Sequence, residues 1–163
     1  MLSKKKFKNT LKEIPLVSLD LIIKNKKGEI LLGLRKNNPA KGYYFVPGGR
    51  IFKNEQVKDS IKRISLNELG FEITNKDIIV KGIYDHIYEN GDNFLKDITF
   101  NSHYVVICCG YNCYKDINLN TLPKEQHNNY KFMSIKNLMI DDKVHYNVKN
   151  YFLEYPNNLF FKL

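Results

Sequence analysis

The clearest pattern along the chain is an alternation of apolar and polar residues at positions 16–23. Ser18 and Asp20 lie on one face of this segment. The residues of the opposite face are apolar, and they are Val17, Leu19, Leu21 and Ile23. A period of two predicts a β-strand. Residues 29–35 are expected to return as a second strand after a turn at residues 24–28, which predicts a hairpin.

Residues 47–71 switch to a helical period, and the rest of the chain is organised around them. The stretch opens with two adjacent glycines, which allow a ligand to approach the backbone closely. Asn54 is the expected N-cap, Glu55 adds negative charge to the first turn, and Gly70 stands where a left-handed C-cap belongs. The apolar positions at helical spacing are Val57, Ile61 and Ile64. The stretch predicts a loop, a helix and a second loop.

The remaining segments predict a mixture of strands and helices. The expected strands are residues 43–46, 78–88, 102–111 and 130–133, and the expected helices are residues 134–140 and 147–155. Pro156 should end the last helix. Helical spacing places Val148, Tyr151 and Phe152 on one face of it. These two helices are interpreted as packing elements without a chemical role. Residues 37–42 and 89–101 are expected loops, and the loop at residues 122–127 is the one expected to carry chemistry, since catalytic groups concentrate on loops held by a rigid scaffold.

Composition indicates one domain spanning residues 1–163, long enough to bury a core. The net charge of +9 comes from lysines spread along the whole chain, without a nucleic-acid-binding module beside them. An anionic small substrate is therefore favoured over nucleic acid. The chain has no apolar run of transmembrane length, and no signal-peptide core follows its basic start, so we expect no membrane partner and a cytoplasmic location. Cys108, Cys109 and Cys113 lack zinc-ligand spacing and are expected to be buried thiols.

The spacing within residues 47–71 is the motif that carries chemistry. The motif consists of Gly49, Glu55 after five residues, Arg63 after seven more, and then Glu68 and Gly70. This spacing resembles the Nudix box, which holds divalent metal against a diphosphate. Two of the three glutamates that the box expects after its arginine region are replaced, by Ile64 and Asn67. Ser65 replaces a hydrophobic residue.

The altered box resembles that of the GDP-mannose mannosyl hydrolases, whose helix lacks the same carboxylates. The similarity extends to further ordered segments: P-L-V-S-L-D, L-L-G-L-R, Y-Y-F-V-P-G-G-R, H-Y-V-V and E-Q-H. The resemblance implies an α/β fold, the Nudix α/β/α sandwich with a mixed sheet. It also implies one Mg²⁺ per subunit, with Mn²⁺ as a possible substitute, and a homodimer that takes a GDP-sugar. Residues 1–14, otherwise a fraying terminus, would be exchanged between the subunits.

The resemblance also implies roles for individual residues. The expected metal ligands are the Gly48 carbonyl, Glu68 and Gln126. His127 is the expected general base, since histidine ordinarily exchanges a proton near neutral pH. Glu55 and Arg63 are expected to brace the helix and loop.

Further residues are expected to contact the substrate. Arg35 and Arg50 would bind the diphosphate, although an arginine in a surface ion pair is the ordinary alternative for Arg35. The other expected contacts are Tyr104 at the phosphates, Asp20 and His86 near the sugar, and Leu2 and Phe7 at the base.

The expected reaction is hydrolysis of a GDP-hexose to GDP and free sugar. Water would attack the anomeric carbon and invert its configuration, as in inverting glycosidases. Two alternatives remain open. One is a Nudix pyrophosphohydrolase that attacks phosphorus, and the other is a nucleotide-binding or RNA-binding module without turnover.

Overall fold

The computed structural model describes residues 4–153, except for the side chain of the first of these. The helices are α1 (Lys4–Glu13), α2 (Val57–Leu69), α3 (Ile135–Ile140) and α4 (Tyr146–Asn150). The strands are β1 (Leu16–Lys24), β2 (Ile30–Arg35), β3 (Tyr44–Phe45), β4 (Gly48–Arg50), β5 (Ile78–Ile87), β6 (His103–Asn112) and β7 (His127–Met133). Within the described residues no helix is long and apolar enough to cross a membrane.

The strands form one mixed sheet of seven strands in the order β3-β2-β1-β6-β5. In addition, β4 pairs with β1 and β7 pairs with β2. The β1–β6 pairing is parallel along the full length of β1, and the other ladders are antiparallel. The predicted mixed sheet and the hairpin of the first two strands are confirmed.

Both faces of the sheet are covered, because side chains on the two faces of β1 pack in two separate hydrophobic cores. Leu19, Leu21 and Ile23 pack with Ile61 and Ile64 of α2 in one core cluster. On the opposite face, residues of the sheet pack with those of α3 and α4, and this second cluster includes Ile22, Leu138, Val148 and Tyr151. The predicted α/β/α sandwich is confirmed. Asp20 points toward the second core and is therefore buried rather than facing water.

The helix α2 begins later than the sequence predicted. Its N-cap position is Gln56, whose side chain makes no capping bond, so the expectation of an N-cap at Asn54 is wrong. Asn54 instead adopts a left-handed conformation with φ of 67° in the turn before the helix. Gly70 ends the helix as predicted, with φ of 75° and its N–H donating to the Leu66 carbonyl.

Three further elements differ from the prediction. The glycine pair is not a loop, because β4 starts there and pairs with β1. The strand β7 starts at His127, three residues earlier than expected, since His127 pairs with Arg35 of β2. The last helix, α4, ends at Asn150, and the positions beyond 153 lie outside the described residues.

Candidate active site

A cavity of about 380 Å³ is lined by residues of β1 and β4 and by Arg35, the last residue of β2. It gathers most of the residues singled out from the sequence: Asp20, Arg35, Gly48, Arg50, His86, Tyr104 and Gln126. Phe7, Glu68 and His127 are not part of its lining. Leu2 lies outside the described residues. Polar groups from distant parts of the chain thus converge on one concave site, which is the usual form of a ligand pocket.

The cationic side of the cavity is formed by Arg35 and Arg50. Arg35 Nε donates to the Pro39 carbonyl at 2.7 Å, and its guanidinium lies 5.6 Å from the centre of the Phe45 ring. The Arg50 guanidinium stacks over Phe7 at 4.4 Å. Within residues 4–153 neither guanidinium forms a salt bridge with a carboxylate. Their positive charge is therefore free to bind an anion, and the planar donor fork of arginine suits phosphate oxygens.

Asp20 supplies a buried carboxylate to the same cavity, with 6% of its surface exposed. Tyr151 Oη donates a hydrogen bond to Asp20 Oδ2 at 2.5 Å. Burial raises the pKa of Asp20 to about 6, although the Tyr151 hydrogen bond and the charge of Arg35 oppose that rise. The negative charge of Glu68 adds to it. Asp20 is thus a hydrogen-bond acceptor at neutral pH, and the Tyr151 hydroxyl holds its carboxylate in place.

His86 is the second buried polar group of the cavity, and its Nε2 lies 3.0 Å from the same Tyr151 Oη. Burial lowers the pKa of His86 to about 3, and the nearby His145 contributes in the same direction. The ring also packs edge-on against Phe45, with centroids 5.9 Å apart. His86 is therefore a neutral imidazole under ordinary conditions.

The sequence analysis missed Tyr151, which it assigned to a packing helix. The hydroxyl joins Asp20 of β1, 131 positions away, to His86 of β5. Burial raises the pKa of Tyr151 well above that of free tyrosine, as does the charge of Asp20, so the hydroxyl keeps its proton. Apolar periodicity around α4 places Tyr151 inside, and no local signal indicates its hydrogen-bond partners.

Tyr104 closes the cavity on the β6 side and is 9% exposed. Burial raises the pKa of its hydroxyl above the ordinary value, against the opposing charges of Arg50 and Arg35. Tyr104 therefore stays a protonated donor beside the two arginines, which suits a contact with phosphate oxygens.

Glu68 and His127 form a buried pair outside the cavity lining. Glu68 Oε2 lies 2.9 Å from His127 Nδ1, and the two side chains are 4% and 0% exposed. His127 Nε2 is buried without a hydrogen-bond partner in the described structure. The sequence placed His127 on a loop, but it is the first residue of β7. Its surroundings are therefore those of a core residue.

Gly33 makes room for the His127 ring. A Cβ atom at Gly33 would lie 2.7 Å from His127 Cβ and Cγ and 2.8 Å from the Tyr130 ring. Such distances are too short for carbon atoms in contact. The glycine in the L-L-G-L-R segment is thus required by the packing of His127, and the sequence analysis did not assign it a role.

The oxygen atoms near Gly48 are candidate ligands for Mg²⁺, which prefers hard oxygen ligands. Leu21 N–H donates to the Pro47 carbonyl, and Ile51 N–H donates to the Val17 carbonyl. Because hydrogen-bonded and non-bonded pairs alternate in an antiparallel ladder, the Gly48–Asp20 pair is a non-bonded one. The Gly48 carbonyl therefore points away from β1 and is available to a cation. A side chain at Gly48 would collide with Asp20 Oδ1.

The rest of the donor set is sparse. No group of three or more His, Cys, Asp or Glu side chains in residues 4–153 is arranged to hold a metal. Gly48 and Gln126 line the cavity and would offer carbonyl oxygens to a cation, and the carboxylates of Asp20 and Glu125 line it as well. Glu68, the expected carboxylate ligand, lies outside the lining and is engaged with His127. One Mg²⁺ completed by water and phosphate oxygens fits these donors, whereas a cluster of metals does not.

Glu55 and Arg63 brace the loop before α2, in the arrangement expected for them. Arg63 donates to both carboxylate oxygens of Glu55, at 2.6 and 2.8 Å, and to the Arg50 carbonyl at 2.8 Å. Glu55 also accepts from the Phe52 N–H. The bond from Arg63 lowers the pKa of Glu55 to about 2. This forked pair fixes the backbone of Arg50, whose side chain lines the cavity.

Helix α1 lies beside the cavity and packs on its own chain. Phe7 and Leu11 form a small core with Phe100, and Lys8 pairs with Asp97 at 2.5 Å. These contacts cover both apolar residues without a second subunit, so their apolar character does not by itself require one. Through its stacking on Arg50, Phe7 touches the cationic wall of the site.

Comparisons with known proteins agree with this geometry. The NUDIX domain family model matches residues 15–154. The low-salt glycan biosynthesis protein Agl8 of Haloferax volcanii is 44% identical over 79 residues, which are 48% of this chain and 49% of that protein. The ADP-ribose pyrophosphatase of Methanocaldococcus jannaschii is 39% identical over 70 residues, which are 43% of this chain and 40% of that enzyme. The matched part of this chain thus spans half or less of these relatives.

Solved structures share the fold at low sequence identity. The MutT protein of Methanosarcina mazei Go1 has a TM-score of 0.65 at 21% identity, covering 86% of this chain and 92% of its own. The MutT NUDIX hydrolase of Burkholderia pseudomallei has a TM-score of 0.67 at 20% identity, covering 85% and 96%. At such identities the likeness concerns the fold alone.

Proposed function

Since the chain belongs to the Nudix family, we propose that it hydrolyses a GDP-hexose to GDP and free sugar, with GDP-mannose as the first substrate to test. One observation carries the proposal. The cavity sets two arginines that form no salt bridge within residues 4–153, Arg35 and Arg50, beside two buried hydrogen-bonding groups, Asp20 and His86. A diphosphate attached to a hydroxyl-rich group matches both halves of that lining.

The proposed bond cleavage is at the anomeric carbon. Cleavage there leaves negative charge on the departing GDP, which Arg35 and Arg50 are positioned to stabilise. Mg²⁺ held by Gly48, Glu68 and Gln126 would add positive charge at the same diphosphate. Direct displacement by water inverts the sugar configuration, as it does in inverting glycosidases.

His127 is the proposed general base. Its Nδ1 is held by Glu68, so Nε2 is the atom left to accept a proton from water. The ring does not line the cavity in this conformation. The proposal therefore requires residues 122–126, which precede β7, to move and bring Nε2 to the cavity wall. General-base catalysis of this kind typically contributes about 10²–10⁴-fold.

The composition of α2 supports carbon over phosphorus as the point of attack. Ile64 and Asn67 stand where the Nudix box has glutamates, and a site with one helix carboxylate is poorly equipped to activate water for attack at phosphorus. The name of the Haloferax relative refers to glycan biosynthesis, which agrees with a sugar-containing substrate. The name of the Methanocaldococcus relative, a pyrophosphatase, keeps phosphorus attack as the second candidate.

Product analysis tests the proposal directly. Purified protein is incubated with Mg²⁺ and a panel of GDP-sugars, and the products are separated by anion-exchange chromatography. Free sugar and GDP are the expected products. Sugar phosphate and GMP would identify a pyrophosphohydrolase instead. If every substrate of the panel stays unchanged, the result favours a binding module without turnover.

A further inference from the structure

Tyr151 lies behind the cavity wall and touches two of its residues. Its hydroxyl oxygen is 2.5 Å from Asp20 Oδ2 and 3.0 Å from His86 Nε2. Asp20 and His86 line the cavity, whereas Tyr151 does not. The Tyr151 ring is fixed by edge-on packing against Tyr84, with centroids 4.6 Å apart. One hydroxyl thus links two groups on different strands.

When Asp20 is ionised, the hydrogen bonds among Asp20, Tyr151 and His86 can run in one direction only. A phenol carries one proton, and the 2.5 Å distance to Asp20 is that of an O–H donating to a carboxylate. Tyr151 Oη must then accept from His86, so His86 carries its proton on Nε2. The other ring nitrogen, Nδ1, is left as an acceptor.

We propose that Tyr151 is a positioning residue that makes Asp20 and His86 a pair of hydrogen-bond acceptors for the hydroxyl groups of the substrate's sugar. This inference rests on the proposed function and adds a determinant of specificity to it. A site built to bind hydroxyl groups rejects analogues that lack them, because its buried acceptors would remain unpaired. Tyr151 therefore controls recognition of the sugar and not of the nucleotide diphosphate.

Other charged or titratable groups face Asp20, and none of them replaces Tyr151. They are Arg35 of β2, Glu68 of α2, Tyr88 just beyond β5, and Cys108 and Cys109 of β6. Arg35 and Glu68 act on Asp20 through charge, whereas the charge of Asp20 raises the pKa of Tyr88, Cys108 and Cys109. Tyr151 is the group that donates a hydrogen bond to its carboxylate. All measurements below are made at pH 8, so that Asp20 remains ionised throughout.

Tyr151→Phe removes one oxygen atom and keeps the ring. We expect kcat/KM for GDP-mannose to fall about 10–100-fold, as for loss of a supporting hydrogen bond in a site. GDP affinity, measured by isothermal titration calorimetry, should change less than about twofold. Wild type should prefer GDP-mannose over the monodeoxy analogue that lacks the hydroxyl bound by Asp20 and His86. In Tyr151→Phe this preference, measured as the ratio of the two kcat/KM values, should be smaller.

Tyr146→Phe is the matched control, because Tyr146 begins the helix that ends just before Tyr151 and its hydroxyl donates to the Ile87 carbonyl outside this cavity. It should leave the sugar preference and the rate unchanged. Asp20→Asn is the second variant. When Tyr151→Phe is added to it, the further loss should be small, because both changes disturb one interaction. Additive losses, or an equal loss of GDP affinity, would overturn the positioning role.

Imidazole nitrogen NMR tests the hydrogen-bond arrangement without any turnover. In the wild-type protein the His86 signals should be those of the Nε2–H tautomer, and in Tyr151→Phe they should shift toward a mixture. Identical His86 signals in the two proteins would refute the inference. Failure of the wild type to release free sugar would refute the proposed function instead, and the NMR comparison would still decide whether Tyr151 sets the His86 tautomer.

Discussion

Glu68 of α2 and His127 of β7 are 59 positions apart in the chain and meet in a buried pair, with Glu68 Oε2 2.9 Å from His127 Nδ1. The proposed metal-binding carboxylate thus orients the proposed base. Carboxylates commonly orient functional histidines in this way, and their removal typically costs about 10–100-fold in activity or metal affinity. The pair also explains how a histidine can be held ready while it is enclosed in the core.

Glu68→Gln should therefore remove most Mg²⁺-dependent turnover, by roughly 100-fold or more, because it weakens both the metal site and the hold on His127. The protein should still fold, as monitored by circular dichroism, since glutamine keeps the size of the side chain. Glu72→Gln, at an exposed ion pair with Lys62, is the control. If Glu68→Gln turns over at the native rate at limiting Mg²⁺, the ligand assignment is wrong.

His127→Gln should lower kcat by about 10²–10⁴-fold and leave KM within a few fold, because a general base acts mainly in the transition state. Glutamine retains a polar group within reach of Glu68 and avoids a large cavity. Steady-state kinetics with GDP-mannose measures the effect, and a thermal melt checks folding. A rise in KM with unchanged kcat would assign His127 to substrate binding.

Glu55 should stabilise the protein in a pH-dependent way. The bond from Arg63 lowers its pKa to about 2, from an ordinary value of 4.5. A carboxylate whose folded pKa is depressed contributes stability above its unfolded pKa, and that contribution is lost as the pH falls through the folded pKa. Glu55→Gln should therefore cost about 1–2 kcal/mol at pH 7, after allowance for solvent screening.

The difference between wild type and Glu55→Gln should shrink as the pH falls from about 4.5 toward 2. Urea unfolding at pH 7 and at pH 2.5 measures it. A difference that stays the same at both pH values would show that the carboxylate charge is not the source.

The homodimer remains a prediction. Phe7 and Leu11 are already covered by Phe100 of the same chain, so an exchange of α1 between subunits would have to reproduce that packing in a partner. Sedimentation velocity at micromolar concentration should show a dimer. A monomer at every concentration tested would contradict both the predicted dimer and the predicted exchange of residues 1–14.

The sequence predicted elements whose cause is local. The strand β1, the helix α2 and the left-handed Gly70 depend on neighbours within a few residues, and all three were found. Asn54 was misplaced because a cap residue and a left-handed turn residue have similar preferences.

The contacts within the site depend on tertiary structure and could not be derived in this way. The burial of His127 follows from the pairing of β7 with β2 and from the space at Gly33. The role of Tyr151 follows from packing α4 against β1 and β5. Neither leaves a periodic signal in the sequence. Of the residues that the resemblance singled out, Asp20, Arg35 and Arg50 are among those that line the cavity, whereas Glu68 and His127 do not. What each of them binds stays a prediction.

The central claim concerns which bond breaks, and hydrolysis in ¹⁸O-labelled water tests it most directly. Products from GDP-mannose, or from whichever GDP-hexose is turned over, are analysed by mass spectrometry after a single turnover. Attack at the anomeric carbon should place the label in the sugar hydroxyl and none in GDP. Label in a phosphate group would show attack at phosphorus and contradict the account.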